Sequence, residues 1–195
     1  MKLFKRGTAL TIAMLLMAVC LTACGGSGGQ NTPAQGSGGT ASPDPAADKT
    51  EIATTTYTVQ DEEEGAVLTL DVPEIEGITV SEISSRAGYR IEYPDGGWQL
   101  DIWIGALNSE ALAKAISEES VTYGSNTGSL EFSSWAAQGK FDFGPVPDKV
   151  YSLTAEYDLR PADTYQPDDE AELRGYLEDE YVGMIFSGMK VELSK

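Results

Sequence analysis

From Tyr151 to Leu159 the chain alternates without a break. Tyr151, Leu153, Ala155, Tyr157 and Leu159 are interleaved with Ser152, Thr154, Glu156 and Asp158. Successive strand side chains point to opposite sides, so this run predicts a strand with one apolar and one polar face. The same period recurs elsewhere. Leu68, Leu70 and Val72 alternate with Thr69 and Asp71; Tyr89, Ile91 and Tyr93 alternate with Arg90 and Glu92. The latter run stops at Pro94-Asp95-Gly96-Gly97, a strong turn, after which Trp98, Leu100, Ile102 and Ile104 oppose Gln99, Asp101 and Trp103. These two runs predict a hairpin. Leu130 with Phe132, and Phe141 with Phe143 after Gln138-Gly139, begin two further strands. One side of such a sheet is apolar and must be covered, as in antiparallel sheets with one packed face.

Two helices supply the cover. Asn108 or Ser109 can cap one running to about Glu119, with Leu112, Ala115 and Ile116 on a stripe. The other follows Pro167 with Asp168 as its cap, and Asp169, Glu170 and Glu172 suit the positive end of its dipole. Its buried stripe is Leu173, Leu177, Tyr181, Met184 and Ile185; Gly188 stops it, and Met189 to Leu193 reads as a short last strand. The fold class expected is α+β: an antiparallel β-sheet packed with two α-helices, preceded by a disordered linker.

The N-terminus carries an address. Lys2, Lys5 and Arg6 form a basic segment, and Leu10 to Val19 is apolar, too short for a membrane span. Leu21-Thr22-Ala23-Cys24 follows and resembles a bacterial lipobox. That resemblance implies a signal peptide over residues 1–23, cleavage before Cys24, and lipidation of the Cys24 sulfur. The chain has two cysteines, Cys20 and Cys24. Cys20 lies in the segment removed, so no disulfide is expected. Two or three acyl chains would anchor stably where one does so only reversibly. Residues 24–50 are rich in Gly, Ser, Thr, Pro and Ala without large apolar side chains, which predicts a flexible linker spanning roughly 25–30 Å. Residues 51–195 remain for a single α+β domain.

Charge narrows the partners. The chain holds 31 acidic and 13 basic residues, for −18; loss of Lys2, Lys5 and Arg6 leaves 10 basic against 31 acidic, or −21. Nucleic acid is not an expected partner, because phosphate binding needs clustered Lys and Arg. The expected membrane contact is the lipid anchor at Cys24, on the outer face of the cell membrane. A protein, a glycan or a divalent cation is left as ligand.

Tyr89-Arg-Ile-Glu-Tyr-Pro-Asp-Gly-Gly-Trp98, Ser134-Trp-Ala-Ala-Gln-Gly-Lys140, the strand at 150–159 and Ile185-Phe-Ser-Gly-Met-Lys-Val191 resemble landmarks of PsbP-like domains. The resemblance covers about 85–193. It implies a binding and assembly scaffold and carries over no catalytic residue.

Histidine is absent, which removes Ser-His-Asp and Cys-His nucleophile systems and the usual zinc, copper and haem ligands. No phosphate-binding glycine loop follows a strand, and no cofactor is expected. Carboxylates remain. Asp95 and Asp101 flank Trp98, and the runs Asp61-Glu-Glu-Glu64 and Asp168-Asp-Glu170 offer hard oxygen ligands without EF-hand spacing, so a metal is left open. Trp103, on the polar face beside Gln99 and Asp101, is the candidate ligand contact: an indole among polar groups can stack on a sugar or a partner unless a helix packs over it. The expected function is a surface-tethered, non-enzymatic binding or assembly module. The alternative is a carboxylate-dependent hydrolase acting on envelope or environmental glycans.

Overall fold

The alternating runs build two antiparallel sheets. In the computed structural model residues 52–164 and 166–194 are described; the signal peptide, Cys24 and the linker expected over 1–50 lie outside them. The strands are β1 (Thr54–Asp61), β2 (Ala66–Pro73), β3 (Thr79–Glu82), β4 (Gly88–Tyr93), β5 (Trp98–Asn108), β6 (Ser120–Tyr123), β7 (Asn126–Phe132), β8 (Ala137–Pro145), β9 (Tyr151–Pro161) and β10 (Lys190–Leu193). The helices are α1 (Ser109–Glu118), α2 (Glu170–Leu177) and α3 (Glu180–Gly188). A seven-stranded sheet runs β3-β4-β5-β9-β8-β7-β6, and a three-stranded sheet runs β1-β2-β10. The fold class is α+β.

The apolar face of the large sheet is the core. Trp98, Leu100 and Ile102 of β5 and Ala155, Tyr157 and Leu159 of β9 are buried there. Leu68 and Leu70 of β2, Leu173 of α2, and Ile185 and Phe186 of α3 join the same cluster. The small sheet and the two later helices therefore cover this face together. Phe186 reaches the ring of Tyr157 at 4.9 Å and that of Phe141 at 5.0 Å between centroids. Burying one such ring stabilises by roughly 1.5–3 kcal/mol. Gly139 makes room for this packing: a Cβ there would lie 2.0 Å from the Ser129 carbonyl oxygen and 2.6 Å from the Tyr157 hydroxyl. The hydroxyl instead donates to that carbonyl at 3.2 Å, and burial pushes its pKa far up.

Two expectations shift. The helix expected from Asp168 through Gly188 as one piece is two, α2 and α3. The break falls at Glu178-Asp179, where the Asp179 carboxylate accepts from the backbone N–H groups of Tyr181 and Val182 and starts a new helix. The cap of α2 is Asp169 rather than Asp168, with its side chain accepting from Glu172 N–H. The break turns the buried stripe, so Val182 and Phe186 join Ile185 in the core, and Tyr181 and Met184, expected there, are only half-buried. Of the two caps the sequence offers, Asn108 is the one used, accepting from Glu110 and Ala111 N–H.

α1 lies elsewhere. Leu112 is buried yet does not belong to the core cluster. Ser109 at the helix start hydrogen-bonds Ser152, which points away from the core-facing Leu153. So α1 covers one end of the polar face and leaves the rest as a site floor. Among the described residues no helix is long and apolar enough to cross a membrane.

Candidate functional site

Strand register sets the floor. Arg90 of β4 pairs with Asp101 of β5, Asp101 with Asp158 of β9, and Asp158 with Gln138 of β8. One polar row thus crosses four strands. On one side of it Gln99 pairs with Arg160; on the other Trp103 pairs with Glu156, and Glu156 with Lys140. Each of these positions alternates with a core residue, which is why they share the second face.

Asp101 is the hub. Arg90 grips it with two bonds, Nε to Oδ1 at 2.8 Å and Nη2 to Oδ2 at 2.9 Å. Arg160 Nη2 donates to Oδ2 at 3.0 Å, and Gln99 Nε2 to Oδ1 at 3.2 Å. Burial pushes the Asp101 carboxyl up, but the two guanidiniums outweigh it and hold the pKa below the ordinary value. Asp158 behaves oppositely. Burial raises its pKa, and the bond from Gln138 Nε2 at 2.7 Å offsets only part of that. Neighbouring carboxylates are thus poised differently on one rigid surface.

Above this floor opens a cleft of about 720 Å³. Its floor includes Gln138, Glu156 and Asp158, with Lys140 paired to Glu156 at 2.6 Å. Glu118 and Glu119 at the end of α1 and Glu170 at the start of α2 form its walls. Glu131 of β7 adds a sixth carboxylate; Glu119 and Glu170 share Arg174, and Glu118 pairs with Lys114. Trp103 borders one end, with the Arg86 guanidinium 4.1 Å from its ring centroid. Outside the cleft lining, the β7–β8 loop holds Trp135 near Arg160, the guanidinium 5.7 Å from the ring centroid. Such a surface suits a polar ligand with a flat apolar side.

The three residues expected to contact ligand are placed differently from one another. Trp103 lines the cleft. Asp101 and Gln99 are buried beneath the surface and bonded to each other and, through Asp101, to the arginines. Asp95 sits in the turn between β4 and β5. Asp61 closes the β1–β2 hairpin turn, accepting from Glu63 and Glu64 N–H. Among the described residues no three His, Cys, Asp or Glu side chains are placed to share a metal ion. Sequence reasoning missed Asp158, Gln138, Lys140, Arg160 and Trp135 as neighbours. The alternation already put Asp158 and Glu156 on the polar face, but only strand register brings Gln138 and Lys140 beside them.

In comparison with known proteins, the chain matches no family model, no curated protein and no solved structure.

Proposed function

We propose that the chain is a bacterial lipoprotein, acylated at Cys24 and held on the outer face of the cell membrane, that works as a non-enzymatic binding module. The observation that carries the binding role is the second face of the seven-stranded sheet. Its polar row is fixed on four hydrogen-bonded strands, and an open cleft bounded by Trp103 stands over it. Side chains held on strands by mutual ion pairs lose little freedom when a ligand docks, which favours binding. The anchoring role rests on the basic segment, the apolar segment and Leu21-Thr22-Ala23-Cys24. The Gly/Ser/Pro-rich spacer behind Cys24 gives the module reach. The PsbP-like resemblance adds support, since it implies a scaffold for binding and assembly.

Cys24→Ser tests the anchor. The wild-type protein should incorporate labelled palmitate and sediment with membranes. The variant should do neither and appear in the soluble fraction. A variant that still sediments with membranes overturns the assignment.

A further inference from the structure

The small sheet ends on a bare edge. β1 is its outermost strand, paired among the described residues with β2 alone. Two bonds fix which of its backbone groups face out. Ser194 N–H donates to the Gly65 carbonyl on the β10 side of β2, and Glu74 N–H donates to the Ala53 carbonyl on the β1 side. Hydrogen-bonded pairs in an antiparallel ladder recur at every second residue. Thr55, Tyr57, Val59 and Asp61 therefore bond β2, and Thr54, Thr56, Thr58 and Gln60 turn their N–H and C=O groups outward. One of those groups is in use. The Tyr89 hydroxyl donates to the Thr58 carbonyl at 2.7 Å, which leaves that oxygen a second lone pair.

Sheet edges are ordinarily blunted by shortness, lysine, proline or a bulge. The strands β3, β6 and β10 are each four residues long. β1 has eight, matched to β2 residue for residue without a bulge, and it contains no Lys, Pro or Gly. Beside it, between β1 and β3, opens a furrow of about 240 Å³ walled by Tyr57, Val72, Ile75, Ile78 and Val80. Charge then selects the occupant. Residues 51–85 hold nine acidic residues and no Lys or Arg. Asp61-Glu62-Glu63-Glu64 lead into the turn at one end of β1, and Glu74 accepts from the Thr55 hydroxyl near the other. None of these five makes an ion pair among the described residues. A second copy would meet them with its own acids in either orientation. Antiparallel pairing of two β1 strands sets each turn beside a Glu74, and parallel pairing sets turn beside turn.

We propose that β1 takes an added strand from a protein partner: an extended segment, uncharged and β-branched in its middle, with Lys or Arg at both ends. Main-chain bonds to Thr54, Thr56, Thr58 and Gln60 give such a strand its affinity. An inward side chain of the segment enters the furrow, and its basic ends meet the acids, which gives selectivity. No residue lining the cleft takes part, so this surface and the cleft stand or fall separately.

The test is titration of the full chain with two peptides. Each is a run of eight alternating valine and threonine residues, the length of β1, flanked at both ends by two lysines in one and by two glutamates in the other. Calorimetry reads affinity, and amide hydrogen exchange followed by NMR reads the place. The lysine peptide should bind roughly tenfold or more tightly than the glutamate peptide. It should slow exchange at Thr56, Thr58 and Gln60 and leave Tyr57 and Val59, already bonded to β2, as they were. Thr58→Pro removes an outward N–H and no bond to β2. It should weaken the lysine peptide about tenfold, the order expected for one backbone hydrogen bond and the bulk of the ring, with circular dichroism matching wild type. Glu63→Lys combined with Glu74→Lys should reverse the preference between the peptides, a gain that an unfolded variant cannot show. Absence of saturable binding by the lysine peptide overturns the proposal, as does binding that slows exchange elsewhere and ignores Thr58→Pro. Equal affinity for the glutamate peptide rules out a partner chosen by charge. Self-association of the chain that protects the same three amides would make a second copy the occupant instead.

Discussion

Asp101 and Asp158 face each other across β5 and β9, yet their carboxyls are shifted in opposite directions. For Asp101 the arginines favour the ionised form. Its contribution to stability is present above the ordinary carboxylate value near 4 and is lost as pH falls through its lower folded value. For Asp158 burial disfavours the ionised form. Its charge weakens the fold at neutral pH, and that penalty disappears as pH falls through its raised folded value toward the ordinary one. Asparagine at 158 keeps an oxygen for the Gln138 amide and removes the charge. Thermal unfolding at pH 7 should therefore place Asp158→Asn at or above wild type. Asp101→Asn should lose on the order of 3 kcal/mol, because the guanidinium of Arg160, 6% exposed, loses the ionised carboxylate it donates to. Equal losses in the two variants would sink this account. In the sequence both residues read alike, as polar partners in an alternating strand. Their difference comes from the neighbours that register supplies, two arginines for one and an amide for the other.

At the scale of elements, what repeats is legible and what interrupts is not. The runs that became β2, β4, β5 and β9 are plain, since each keeps period two over most of its length. The start of α1 is legible to within one residue, because two side-chain acceptors, Asn108 and Ser109, precede an apolar-periodic stretch. The break between α2 and α3 is hidden for a physical reason. Leu173, Leu177 and Tyr181 keep helical spacing straight through it, and the residue that cuts the helix, Asp179, is one acid among 31. The separation of β1, β2 and β10 into a second sheet is hidden too, because alternation gives the faces of a strand but not its partners. The break yields a direct test. Asp179→Ala removes the acceptor for two helix-start N–H groups and should cost about 1 kcal/mol in denaturant midpoint. Asp168→Ala should cost much less, because Asp169 holds the cap of α2. The reverse order would mean that α2 and α3 behave as the single helix the spacing suggests.

For the whole molecule, the charge total follows from composition and its placement does not. A chain at −18 repels itself, and self-repulsion disfavours the compact state. Around the cleft, ion pairs meet part of that cost: Glu119 and Glu170 share Arg174, Glu118 pairs with Lys114 and Glu156 with Lys140. The ion pairs that oppose it differ in exposure. Arg160–Asp101 is nearly closed to solvent, whereas Arg174–Glu119 and Lys114–Glu118 are open. Salt screens exposed charges over about 10 Å at 0.1 M and about 3 Å at 1 M, and buried pairs far less. Adding sodium chloride therefore relieves the surface repulsion and leaves the Asp101 hub intact. The melting temperature measured by circular dichroism should rise between about 10 mM and about 0.5 M salt, the open ion pairs being worth too little to reverse it. A melting temperature that falls with salt would show instead that the surface ion pairs outweigh the net repulsion.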